Sequence, residues 1–159
     1  MDASTNNEII PAASFKQIDI GFVTPATSIK RFVQCIWVID NPEGSATTLN
    51  EKFYPDAGSS LTFYLDQTNC EAQLFYHTQV CAMPWELACR QISVRFRPGA
   101  LKYLFGLTFD DSKNQQIDIA LAMVKQRDSY QRLQAYIIGK TISQQCLAIQ
   151  RWLIELAEN

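Results

Sequence analysis

Val94-Arg95-Phe96-Arg97-Pro98-Gly99-Ala100 is the stretch where this chain changes its period. Upstream the pattern is that of strands. Successive side chains of a strand point to opposite faces, so Val94 and Phe96 share one face and Arg95 and Arg97 the other. Downstream, Leu101, Leu104 and Phe105 recur at the i, i+3, i+4 spacing of an amphipathic helix. Pro98 then takes a first helical position and Gly106 lies just past the end. Working back from this switch, residues 86–96, 78–82 and 72–76 read as strands. Leu61, Phe63 and Leu65 alternate with Thr62 and Tyr64, the period of a half-buried strand. Residues 48–54 end at Pro55-Asp56-Ala57-Gly58, where Pro sets φ and Gly permits a positive one. Residues 34–39 are aromatic and β-branched and close on the turn signal Asn41-Pro42-Glu43-Gly44.

Working forward, Asp128 is placed to cap a second helix whose face is Tyr130, Leu133 and Ile137, closed by Gly139. A third helix spans residues 141–157. The chain divides into a polar N-terminal arm over residues 1–18, a β-barrel core over 19–97 and a helical part over 98–159 that packs on the barrel. The expected fold class is mainly β with C-terminal helices (α+β): many short strands suggest a sandwich or small barrel, followed by two or three α-helices.

Composition narrows the function. Of the 159 residues, 47% are hydrophobic and 19% charged, an ordinary globular balance. The net charge is −2, and the fourteen Lys and Arg never run longer than two, so these residues lack the basic face of a DNA reader. Cysteines at 35, 70, 81, 89 and 146 are odd in number and form no Cys-x-x-Cys pair, which is neither a disulfide framework nor a zinc knuckle. The opening Met-Asp-Ala-Ser-Thr-Asn-Asn lacks the pattern of a signal peptide, and no apolar run suits a membrane span. A reducing, cytoplasmic setting without membrane partners is expected.

Enzyme chemistry is not expected. Only one histidine, His77, is present, too few for a two- or three-histidine metal centre and a single candidate base for any cysteine nucleophile. No Gly-x-Ser-x-Gly elbow, Walker loop or dinucleotide fingerprint occurs. The chain is thus read with no catalytic residue, no metal ligand set and no cofactor.

Three blocks in order carry a family likeness: Cys35-Ile36-Trp37, then Tyr54-Pro55-Asp56-Ala57-Gly58, then Phe96-Arg97-Pro98-Gly99-Ala100. Together they resemble the N-terminal sensory domain in a subgroup of AraC-type bacterial transcription regulators, over about residues 20–121. The resemblance implies a cupin-like jelly roll that binds a small-molecule effector and dimerises. It also implies contact with DNA only through a C-terminal helical domain, for which no segment is legible in these residues. The alternatives are a stand-alone protein-interaction domain with a solid barrel core and, least favoured, a cupin-like enzyme.

Five residues are the ligand-site candidates: Trp37, Asp56, Phe63, Arg95 and Arg97. Arg97 beside a helix N-terminus would be opposed by the helix dipole unless a carboxylate offsets it, and Asp56 is the expected partner. That pair either braces the turn against the barrel or forms a rim for an anionic ligand group. Trp37 and Phe63 are expected to face the barrel interior, which either is filled by side chains or keeps room for one small ligand. In the third helix Ile142, Cys146, Ile149, Leu153 and Leu156 recur at heptad spacing, with Leu147 and Ile154 on a second strip. The seam either packs on its own chain or forms the interface of a homodimer.

Overall fold

The computed structural model describes residues 18–40, 48–53, 55, 57–123 and 125–159. Its strands are β1 (Ile20–Val23), β2 (Val33–Ile39), β3 (Thr48–Phe53), β4 (Ser59–Leu65), β5 (Cys70–Tyr76), β6 (Cys81–Glu86), β7 (Arg90–Phe96) and β8 (Gln115–Asp118). Its α-helices are α1 (Ala100–Phe105), α2 (Phe109–Ser112), α3 (Ile119–Ala122), α4 (Arg127–Ile137) and α5 (Ile142–Glu158). The mainly β class with C-terminal helices is therefore what the chain adopts. The expected N-terminal arm lies outside the described residues, apart from Ile18.

The strands pair in nested fashion. β4 and β5 form an inner hairpin, β3 pairs with β6 around it, and β2 pairs with β7 outermost, all antiparallel. Because β7 also pairs with β4, the inner and outer pairs join one sheet while the middle pair stands in another. This wrapping is that of a jelly roll. The larger sheet has the order β1-β2-β7-β4-β5-β8 and the smaller is β3-β6. β8 is an insertion into the expected helical part, where the chain returns to pair with β5.

Register gives the larger sheet two contrasting faces, because residues paired across antiparallel strands share a face. Ile36, Val94, Leu61 and Leu74 form one lateral row, and Val38, Ile92, Phe63 and Ala72 the next. All eight are buried in the core. The helices cover this face: Trp152 of α5 meets Phe63 edge-on at 6.1 Å, and lies 6.0 Å from Phe105 and 5.9 Å from Tyr130. α4 buries Tyr130, Leu133 and Ile137, the stripe that its sequence spacing implies.

The heptad seam of α5 belongs to this same core. Cys146, Ile149, Leu153 and Leu156 are buried and Ile142 is half-buried, so the reading as a dimer interface is replaced by intrachain packing. The physical reason is that the helix lies across an apolar sheet face that needs cover, and its most regular apolar strip provides it. Leu147, on the second strip, is the residue left outside, at 49% exposed.

Several local boundaries moved. Gly99 takes a left-handed φ of 84°, so α1 begins at Ala100 and Pro98 stays outside it. α4 starts at Arg127, which puts Asp128 in its first turn, where its charge suits the dipole, and not at the cap. α5 begins with a capping box, Thr141 and Gln144 bonding each other's backbone. The strand expected over 78–82 is displaced to β6: Thr78 is held in a turn by Asn114, which accepts from its amide at 2.9 Å and donates to its hydroxyl at 2.6 Å. The long strand expected over 86–96 breaks at 87–89, where buried Leu87 anchors the link from β6 to β7.

Candidate functional site

Alternation along each strand places every second residue of the larger sheet on the face away from the helices. There the pairing aligns Cys35, Arg95, Ser60 and Phe75 in one row, and Trp37, Ser93, Thr62 and Gln73 in the next. The contrast with the helix-facing side is chemical: hydroxyls, amides, a thiol and a guanidinium replace aliphatic groups. The smaller sheet meets this face through Trp85 of β6, whose indole sits edge-on to Trp37 at 5.4 Å. Trp85 Nε1 donates to Gln91 Oε1 at 2.6 Å, and Gln91 Nε2 donates to the Glu86 carbonyl at 2.7 Å.

Buried polar groups persist only when bonded, and most here are. The Thr62 and Ser93 hydroxyls bond each other across β4 and β7. Arg95 donates to Ser60 Oγ at 2.8 Å. On this face Gln73 Oε1 is buried without a partner among the described residues. Burial disfavours the Arg95 charge and lowers its pKa, with Cys35 opposing. Burial likewise raises the Cys35 thiol, partly offset by Arg95 and Arg97. Both shifts follow from desolvation of a charged form.

Beyond Phe75 the face opens into a cleft of about 390 Å³ at the end of β5 and the start of β6, lined by Phe75, His77, Cys81 and Gln116 among others. The lining carries no charged side chain apart from what His77 could acquire. Burial pushes the His77 pKa down, which favours the neutral ring. Among the described residues no group of three or more His, Cys, Asp or Glu is arranged to hold a metal ion.

Residues 22–118 match a protein family described as a domain of unknown function, DUF6597. The chain belongs to this family. No curated protein and no solved structure matches it significantly. The DUF6597 match runs from within β1 to the end of β8, so it takes in the two-faced sheet apart from the first two residues of β1, and the cleft, while α3, α4 and α5 follow it.

Within the DUF6597 region the expected site residues separate. Trp37 and Arg95 stand on the polar face. Phe63 does not: it neighbours Thr62 in β4 and so faces the helices, fully buried against Trp152. Arg97 lies past the end of β7, which stops at Phe96, and is exposed, although its charge still reaches Cys35. Its amide donates to the Phe32 carbonyl at 2.7 Å and its Nε to the Lys30 carbonyl at 3.1 Å. Asp56 lies outside the described residues, and with it the expected Asp56–Arg97 pair. The turn leads to Arg95 instead: a Cβ on Gly58 would fall 2.9 Å from Arg95 Nη2 and 2.9 Å from the Phe96 carbonyl. The residues that sequence reading missed are Ser60, Thr62, Gln73, Gln91 and Ser93. Parity alone finds two of them, since Gln91 and Ser93 share the face of Arg95 on one strand.

No described helix is long and apolar enough to cross a membrane.

Proposed function

We propose that this DUF6597 chain is the ligand-sensing and dimerisation domain of an AraC-type transcription regulator, with DNA contact supplied by a separate C-terminal helical domain. One observation carries the sensing half of this reading. The larger sheet packs its aliphatic core on one face and keeps a polar, aromatic-edged face on the other, where Thr62, Ser93 and Gln91 are buried as polar groups. A small-molecule site is a concave surface with apolar walls and a few placed polar groups. Trp37, Trp85 and Phe75 supply the walls, and Gln73, Ser60 and Arg95 the polar groups. The effector is a small organic molecule able to donate to the Gln73 carbonyl. Sensing then requires that it bind two arrangements of the chain with unequal affinity.

Dimerisation is kept as part of the proposal, with a surface other than the buried α5 seam. The rival reading, a solid interaction domain, draws on the mutual satisfaction of Thr62 and Ser93, which closes that part of the interior. A thermal-shift screen of small polar metabolites separates the two. The sensing reading expects at least one compound that stabilises the wild type and loses its effect in Gln73→Leu. A screen without any such compound, across chemical classes, supports the solid barrel.

A further inference from the structure

Two consecutive residues of β7 hold the two outer layers of the molecule. Gln91 points to the polar face and binds β6 through Trp85 Nε1 and the Glu86 carbonyl. Arg90 points to the helix side. Its Nε and Nη2 meet Asp40 Oδ1 and Oδ2 at 2.8 and 3.3 Å, a two-pronged contact at the end of β2. Its Nη1 donates to Gln145 Oε1 of α5 at 3.0 Å and to the Lys140 carbonyl, between α4 and α5, at 3.4 Å. Gln145 is itself buried and donates back to the Ile137 carbonyl at 2.9 Å, closing the end of α4.

We propose that Arg90 and Gln91 form a junction that transmits displacement of β6 to the connection between α4 and α5. The other helix-to-sheet contacts are mainly apolar, and apolar contacts are non-directional and tolerate small slides. The bonds of Arg90 are directional and charge-assisted, and such bonds hold geometry more strictly. Among the described residues, other polar ties of these helices end elsewhere: Gln134 donates to the Cys70 carbonyl, Gln150 accepts from the Ala26 amide, and the Ala157 carbonyl accepts from the Tyr103 hydroxyl of α1. An event that shifts Trp85 therefore pulls on Gln91 and, one residue away, on the clamp at the start of α5. A pathway of this kind is established only by measured coupling.

Hydrogen-exchange mass spectrometry on a two-by-two set of variants measures it without any ligand. Trp85→Phe keeps an aromatic ring, smaller than the indole, and removes the Nε1 donor; Arg90→Gln removes the clamp. In the wild-type background, Trp85→Phe is expected to speed exchange at least threefold both in residues 81–89 and in residues 138–146. In the Arg90→Gln background, residues 138–146 already exchange faster, and Trp85→Phe accelerates only 81–89. The proposal is overturned if Trp85→Phe leaves 138–146 unchanged in the wild type, or speeds it by the same factor in both backgrounds. Should Arg90→Gln not fold by circular dichroism, Asp40→Asn takes its place with the same two outcomes. The cycle needs no effector, so its result is independent of whether the sensing reading holds.

Discussion

Leu153→Ala separates a core helix from an interface helix. Leu153 is fully buried within one chain. Truncation to Ala removes three carbons from an apolar site, worth about 0.8 kcal/mol each, or about 2.4 kcal/mol before any cavity is counted. Because Trp152 and its ring neighbours are large and cannot close fully over the gap, the loss should exceed that transfer value, within the range of roughly 2–5 kcal/mol seen for such changes. For a chain of this size each kcal/mol moves the melting temperature by about 2–4 °C, so a loss of about 3 kcal/mol lowers it by roughly 6–12 °C. Differential scanning calorimetry at protein concentrations spanning two decades gives the readout. The shift should be the same at every concentration, and Leu147→Ala, at a half-exposed position of the same helix, should move the midpoint far less. A Leu153→Ala shift below that of Leu147→Ala would refute the packing argument. So would one that vanishes on dilution.

Gly58→Ala should destabilise the fold by about 1–3 kcal/mol, the usual cost of overpacking, because the new methyl meets the Phe96 carbonyl, which cannot swing aside; chemical denaturation with an unchanged slope checks it. His77 has a folded pKa held below its ordinary value near 6.5 by burial, so the unfolded chain binds the proton more readily. Stability should then be full above pH 6.5 and fall as pH drops through that value toward the folded pKa, and His77→Gln should flatten this part of the profile relative to the wild type. Thiol labelling should split the cysteines: buried Cys70, whose pKa burial pushes up to about 12, and buried Cys146 should react only on unfolding, after half-buried Cys35, Cys81 and Cys89. Early labelling of Cys70 in native protein would contradict the described core.

The sequence made the fold class legible because two periods meet at one place. Alternation runs through Leu61 to Phe96, and the helical stripes of Leu101, Tyr130 and Ile149 follow it. Strand pairing was not legible, since nesting is set by contacts between residues far apart in the chain. That gap also misplaced Phe63. Alternation says that Phe63 and Thr62 face opposite ways, but only the register with β7 and the position of α5 decide which side is the core. The seam of α5 failed as an interface for a related reason: a regular apolar strip states that burial is required and is silent about what covers it. Short elements such as β8 and α3 escaped because four residues hold too little periodicity to register. Arg95 and Trp37, singled out through motif and composition, both stand on the polar face, whereas Gln73 looks like any surface glutamine until its neighbours across the sheet are known.

The central claim is that the polar face between the sheets is where a small molecule enters, and side-chain NMR tests it most directly. Correlation spectra of uniformly labelled protein resolve the three indole N–H groups and the amide side chains while polar fragments are added. The account predicts that binding fragments move the indole signals of Trp37 and Trp85 and the amide signals of Gln73 and Gln91 together, and leave the indole of Trp152, on the opposite face, in place. Fragments that shift Trp152 or the helices while Trp37, Trp85 and Gln73 stay still would contradict it.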